Sequence, residues 1–406
     1  MATSIVLDEL EREGRVVELP EGVAALLVDT ELVDARPEGG GQFRLLPRGR
    51  VGTVRIGDLQ VQVTPKEKVG LSQLIFLLGY AADPGFRPED VAGITEPDLW
   101  PALAESIARQ AERAVGHGVL QGYATVEDAL RTVRGRIRMS DQITRHPGLM
   151  VPLEVTYDEY TSDIPENQIL RSALRRMLAV PGIRPGVRAR LAHVDGRLDG
   201  VTVLNRRTPL PQWTPSRLNG RYQPALRLSE VVLRHQSVEA GDGAVDVASF
   251  VVPMWKVFED FVTTALSEAL KVYPGTTRPQ YPDRLDVAEM GAPGSVPIAV
   301  DLVHSVSGRP LLIFDSKYKA ASPTDRYPNA DHYQMLAYCT ALQVPRAWLV
   351  YAQGGRPVER RIKNTGISVV EYPLNLRACP AELLRQVGQL AAEAWATCEP
   401  RLRAVS

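Results

Sequence analysis

The 406-residue chain has only three cysteines, Cys339, Cys379 and Cys398, and they are widely scattered. Three is too few for a disulfide framework or a cysteine-based zinc site, which points to a reducing compartment, the cytoplasm. No apolar run approaches the roughly 18 residues that a membrane span needs, so no membrane partner is expected. The start of the chain, with Asp8, Glu9, Glu11 and Glu13, lacks the basic-then-apolar order of a secretory leader. No glycine is followed by lysine, so a Gly-Lys-Ser/Thr phosphate loop is missing and no nucleotide site is expected on this chain. Net charge is also scarce, -1 at pH 7, but that average hides an asymmetry. Arg131 to Arg234 holds 18 arginines, no lysine and nine acids, a surplus of +9 that leaves -10 for the remainder. A basic middle suits contact with phosphates, and the exclusive use of arginine fits either bidentate phosphate recognition or a GC-rich coding bias.

The length suffices for two or three domains, each burying a core. Residues 1–125 read as a mixed β/α domain. Arg15 to Leu19, Gln42 to Leu46, Val51 to Ile56 and Leu59 to Thr64 are strand-like, and Gly57-Asp58 is a type I′ hairpin signal between the last two. Leu71 to Ala82 and Asp98 to Gln121 read as helices. Residues 126–245 look mainly helical and arginine-rich. Arg134, Arg136 and Arg138 alternate, so a strand would present all three on one face, either as a phosphate-tracking ridge or as a solvated sheet face. Asp163-Ile164-Pro165-Glu166 reads as a capped helix start, followed by a helix carrying Arg171, Arg175 and Arg176 opposite its apolar residues. Thr208 to Pro224 reads as a connection leading into a helix from Ala225 to Val238. Gly241-Asp242-Gly243 marks the expected boundary of a third domain, residues 246–406.

That third domain carries the chemistry. Ile298 to Val303 and Leu311 to Phe314 are apolar runs joined by Ser307-Gly308-Arg309-Pro310, which reads as a β-hairpin. The hairpin would bring Asp301 beside Asp315, Ser316 and Lys317. Two carboxylates can hold Mg²⁺, which polarises a phosphoryl group and activates a water, while a lysine orients that water and offsets charge on the phosphorus. The same three residues could equally end an edge strand in solvated charges. Upstream, the helix opened by Pro253 places Glu259 beside an apolar stripe, where it is either a further acid of the cluster or an exposed helix charge. Downstream, Gln334 and Tyr338 lie four apart on one helix face, and Ala347 to Tyr351 is a strand. His304, at odd spacing from Asp301, is expected to be structural. His332 is read as packing or exposed, with DNA contact as the other option. A closing helix from Pro380 to Trp395 reads as a cover over the core.

Asp301, Asp315-x-Lys317 and Gln334-x-x-x-Tyr338 resemble the PD-(D/E)xK nuclease signature with its Q-x-x-x-Y extension, although Ala299-Val300 stands where the name-giving proline would precede Asp301. More narrowly, FDSKYK with HYQMLAYCTAL is similar to the McrC family, the nuclease subunits of McrBC 5-methylcytosine-dependent restriction systems. The similarity extends through VGTVRIGDLQVQVTPK (51–66), RGRIRMSDQITRHPG (134–148) and YDEYTSDIPENQILRSALRRML (157–178).

The resemblance implies an α/β fold, α+β overall. Its last domain would be restriction-endonuclease-like, with a mixed central sheet flanked by helices, after a β-rich, partner-facing first domain and a basic middle region. It implies a type IV restriction endonuclease subunit that cuts double-stranded modified DNA and stimulates a McrB-like AAA+ GTPase ring. The cofactor would be Mg²⁺, with Mn²⁺ as its substitute. Asp301, Asp315 and the Ser316 carbonyl would hold the metal, Lys317 would place the water, Gln334 and Tyr338 would brace the site, and Glu259 would add an acid. Arg134, Arg136, Arg138, Arg171 and Arg175 are the candidate DNA contacts. Two other readings remain open at this stage: a catalytically silent adaptor that activates a GTPase ring, and a stand-alone DNA-binding protein.

Overall fold

The computed structural model describes residues 3–65, 69–91, 99–205, 208–240, 246–287, 296–318, 329–352 and 355–398. The chain opens with β1 (Thr3–Asp8), β2 (Arg15–Glu18), α1 (Glu21–Asp29), β3 (Val33–Gly39), β4 (Gln42–Pro47), β5 (Val51–Ile56), β6 (Leu59–Thr64) and α2 (Leu71–Ala82). α3 (Leu99–Val115), β7 (Gly122–Leu130), β8 (Arg136–Ile137), α4 (Met139–Arg145), β9 (Leu153–Thr161), α5 (Pro165–Leu178), α6 (Pro185–Arg197) and α7 (Gln223–His235) follow. The remainder is β10 (Gln236–Ala240), β11 (Asp246–Val252), α8 (Met254–Leu270), β12 (Thr276–Arg284), β13 (Pro297–Val306), β14 (Arg309–Lys317), α9 (Asn329–Leu342), β15 (Arg346–Tyr351), β16 (Val358–Arg361), β17 (Ser368–Pro373) and α10 (Pro380–Ala396). No helix among the described residues is long and apolar enough to cross a membrane.

Two compact units emerge, one from residues 1–97 and 239–406 and the other from residues 98–238. The boundaries differ from those expected at 125 and 245, for a tertiary reason. α3 packs on α5, α6 and α7, and Arg190 of α6 is clamped by Glu105 and Glu112 of α3 at 2.7 Å each, so α3 belongs with the middle of the chain. The expected glycine boundary at Gly241-Asp242-Gly243 lies outside the described residues.

In the first unit a five-stranded sheet has the order β1-β6-β5-β11-β10. β5 and β6 pair with Ile56 opposite Leu59, but only Gly57 of the connecting pair has positive φ, +55°, so the turn is not the doubly left-handed type I′ expected. β11 pairs antiparallel with β5, Val247 opposite Ile56 through Val252 opposite Val51, so residues expected to open the third domain complete this sheet instead. Gly52, at φ +143°, permits the close approach, because a Cβ there would collide with the carbonyl oxygen of Phe250. Ile5, Leu7, Val54, Ile56, Val61 and Val63 of this sheet share a core with Leu27, Leu32, Val33 and Leu45.

The second sheet of this unit has the order β12-β13-β14-β15-β17-β16. It is mixed: β14 runs parallel to β15 and β15 to β17, while the other pairs are antiparallel. The β13–β14 turn is Ser307-Gly308 alone, both residues left-handed (φ +50° and +78°), and Arg309 and Pro310 already lie in β14. Side-chain alternation directs Val303, Ile313, Leu349, Tyr351 and Val369 toward Met335, Tyr338, Cys339 and Leu342 of α9. α8 packs along β12, β13 and β14 and against α10.

The middle unit combines α3, α5, α6 and α7 with the sheet β7-β9-β8. Asp163 does not cap α5 as expected: Ile164 holds the cap position without a side-chain bond, and Pro165 opens the helix. The Asp163 carboxylate turns instead to the Thr202 amide and hydroxyl (2.8 and 2.7 Å) and to Gln168, pinning a loop that is distant in sequence.

Candidate active site

β13 and β14 carry the central residues because their register fixes them. Leu302 lies opposite Phe314, so the next positions outward are Asp301 and Asp315. The backbone N–H and the hydroxyl of Ser316 both donate to Asp301 Oδ2 at 2.9 Å, locking that carboxylate against the end of β14. Asp315 is 1% exposed, and its oxygens accept no well-aligned hydrogen bond among the described residues. The Lys317 Nζ stands 2.6 Å from Asp315 Oδ2 as an ion pair.

Burial, and next the negative charge of Asp301, push the Asp315 carboxyl up to about 7, with Lys317 opposing. Burial alone would favour neutral Lys317, but the charges of Asp315, Asp301 and Asp331 outweigh it and hold its pKa above the ordinary value. Lys317 is therefore an ammonium at neutral pH, a donor and a positive charge rather than a base. Glu259 on α8 joins the same field: burial first, then the charge of Asp301, raises its pKa, while Lys256 lowers it. Its Oε1 accepts from Lys256 Nζ (3.2 Å) and Gln280 Nε2 (3.0 Å), so it is not a free helix charge.

α9 supplies the brace. Gln334 Nε2 donates to the Tyr338 hydroxyl at 2.6 Å, and that hydroxyl donates to the carbonyl of Ala299 at 2.8 Å, two residues before Asp301. One group escaped sequence reading: Asp331, 3% exposed in the first turn of α9, accepts the Tyr351 hydroxyl at 3.2 Å. Its sequence signal was only that of an acid at a helix start. His304 is buried and bonded to Thr277 Oγ1 (2.8 Å) and the Pro274 carbonyl (3.0 Å), a structural role. His332 pairs with buried Glu371 at 2.8 Å.

The basic candidates divide. Gly135 is left-handed (φ +70°) and β8 spans only two residues, so the alternating ridge over 134–138 does not form. Arg134 lies over the Tyr157 ring at 3.9 Å and faces Glu159, and Arg136 is exposed. Arg138, with a side chain only 16% exposed, is held by Glu127, Asp141 and the buried Glu154. Arg171 is likewise buried, bound to Asp195, Asp199 and the Val201 carbonyl. These two arginines compensate buried carboxylates inside the fold. Arg175 also meets Asp195, at 2.8 Å, but stays 51% exposed.

Among the described residues no three His, Cys, Asp or Glu side chains are grouped to hold a metal. The pair Asp301 and Asp315 still fits Mg²⁺, which takes one or two carboxylates and keeps waters or substrate oxygens in its other positions. A buried carboxylate without aligned donors, costly to ionise alone, is the feature that such a cation would satisfy. Ser316 spends its amide and hydroxyl on Asp301.

A family model described as "McrBC 5-methylcytosine restriction system component" matches residues 46–352. Among solved structures, a chain in the refined half-complex from a tetradecameric assembly of Thermococcus gammatolerans McrB AAA+ hexamers with bound McrC is similar at 17% identity, with a TM-score of 0.59 over 95% of this chain and 99% of that one. The cryo-EM structure of the Thermococcus gammatolerans McrBC complex matches at 20% identity over 67% of this chain and 90% of that one, with a TM-score of 0.41. No curated protein matches significantly.

Proposed function

The chain belongs to the family of McrBC 5-methylcytosine restriction system components, and from that premise we propose that it is the nuclease subunit of such a system, a Mg²⁺-dependent endodeoxyribonuclease of the PD-(D/E)xK type. The observation that carries the reading is the buried Asp315, paired with Lys317 and flanked by Asp301 on the neighbouring strand. A hydrogen-bonded surface charge would have no reason to be sealed this way.

Asp301 and Asp315 would hold the ion, with the Ser316 carbonyl as a third oxygen. When bound, the ion polarises the phosphoryl group and makes a coordinated water acidic. Lys317, as an ammonium, donates hydrogen bonds to the water and to phosphate oxygens and offsets charge developing on them. Asp301 is kept oriented by the two donors of Ser316. Tyr338 and Gln334 fix the strand that carries it, and Glu259 adds negative potential behind it.

The substrate is double-stranded DNA carrying a modified cytosine, and the setting is the cytoplasm. With no Gly-Lys loop of its own, the chain works with a separate McrB-like AAA+ GTPase ring and stimulates it. The structural neighbour, itself bound to McrB AAA+ hexamers, supports that partner. Exposed Arg136 and Arg175 remain candidate DNA contacts.

The test is cleavage of a 5-methylcytosine duplex by the full chain with Mg²⁺, GTP and the ring. Asp315→Asn and Lys317→Ala should each lower the rate by more than about 10³-fold while still binding the ring. Cleavage surviving in both variants overturns the assignment. A native chain that stimulates GTP hydrolysis and cuts nothing is an adaptor.

A further inference from the structure

Resting on the metal-site reading above, we infer that Gln280 is a positioning residue of that site: β12 turns left-handed at this residue so that its carboxamide can fix the carboxylate of Glu259. Five non-glycine residues among those described have positive φ. Glu31 and Gln343 lie just past the ends of α1 and α9, and Ser307 and Asn364 lie in turns between strands. Gln280, at φ +45°, is the one of the five inside a strand. A long side chain there is strained, and glycine is the residue that this backbone takes most readily. Neither neighbouring proline accounts for it, since Pro279 sets its own φ and restrains Arg278, while Pro282 restrains Tyr281.

The strain falls at the site. Pro279 lies opposite Leu302 and Tyr281 opposite Val300, so Gln280 stands opposite Asp301, on the edge strand of the sheet. A left-handed residue in an edge strand re-aims its side chain, a device found beside active sites. Here the side chain reaches α8: Gln280 Nε2 donates to Glu259 Oε1 at 3.0 Å, and Lys256 Nζ donates to the same oxygen at 3.2 Å. Two donors from two elements thus hold one oxygen of a carboxylate whose side chain is 18% exposed, and Oε2 takes no hydrogen bond among the described residues. Lys256 is shared with Asp260 at 2.9 Å, so the carboxamide is the donor committed to Glu259 alone. The charge of Asp301 already bears on Glu259. Mg²⁺ held by Asp301 and Asp315 keeps several waters, which are donors for the remaining oxygen.

Gln280→Gly removes the carboxamide and the strain together, and two measurements separate them. In EDTA the urea midpoint of the variant should not fall below that of the native chain, because glycine accepts the left-handed backbone. Mg²⁺ affinity of the full chain, by calorimetry, should weaken about tenfold, the effect of losing a group that orients the surroundings of a metal. Gln280→Asn, which tolerates the same backbone but is one methylene short, should weaken it as much. Glu259→Gln should also weaken it, and adding Gln280→Gly to that variant should cost nothing further, since the amide acts through the carboxylate. Native Mg²⁺ affinity in Gln280→Gly, losses that multiply in the double variant, or a lowered urea midpoint overturns the inference and leaves the metal site standing. A native chain that does not bind Mg²⁺, or binds it as well after Asp315→Asn, overturns the metal-site reading too.

Discussion

Replacing Asp315 by Asn should make the metal-free protein more stable at neutral pH, not less. The native carboxyl is 1% exposed and its pKa is raised to about 7, against 3.8 for the ordinary side chain. A raised carboxyl pKa means that the folded chain keeps a proton the unfolded chain has released. Its contribution is therefore most favourable below pH 3.8 and is lost as pH rises toward 7, levelling off above it. Three pKa units correspond to a loss of about 4 kcal/mol across that window. Solvent does not screen it at this burial, and the raised pKa already includes the opposing pull of the Lys317 ammonium. The assay is urea unfolding in EDTA from pH 4.5 to 8 for both proteins. The difference should be small at pH 4.5 and grow toward about 4 kcal/mol in favour of Asp315→Asn by pH 8. Mg²⁺ should then raise the stability of the native chain alone, since it binds only the folded site. A variant less stable than the native chain at pH 8 in EDTA would mean that the folded chain does not hold the Asp315 carboxyl above its ordinary pKa.

Arg138→Ala should destabilise the chain by about 2 kcal/mol, because it removes the closest donor of the buried Glu154 and leaves it only Arg145 (3.3 Å) and His146 (3.2 Å). Fluorescence anisotropy should find DNA affinity unchanged, whereas a phosphate-contacting Arg138 would weaken it and lower its salt dependence. Gly52→Ala should cost well over about 1 kcal/mol, as a left-handed glycine in contact with the Phe250 carbonyl has no room for a Cβ. Hydrogen exchange should localise that damage to β5 and β11.

The local half of this structure was legible in the sequence. Two apolar runs joined through Ser307-Gly308-Arg309-Pro310 marked β13 and β14, though the turn itself is Ser307-Gly308 alone, and α2 follows its apolar pattern from Leu71 to Ala82. Those two strands sufficed to bring Asp301 to Ser316 and Asp315 to Lys317, because a hairpin's register is settled within a few residues of its turn. What escaped depends on partners far along the chain. β11 joins β5 across nearly the whole first half of the sequence, and no pattern within either strand names the other. Arg138 and Arg171 look like surface cations until Glu154 and Asp195 are seen buried against them. Asp331 reads as a helix-start acid until Tyr351 closes over it. Periodicity tells which side of an element is apolar, but not which buried anion a given arginine or lysine will meet.

Everything in the proposed chemistry depends on Asp301 and Asp315 holding one divalent cation between them. A crystal of the full chain soaked in Mn²⁺ and measured at the manganese absorption edge tests it directly. An anomalous peak is expected between the Asp301 and Asp315 carboxylates. A peak elsewhere, or none while the Lys317–Asp315 ion pair stays closed, would contradict it.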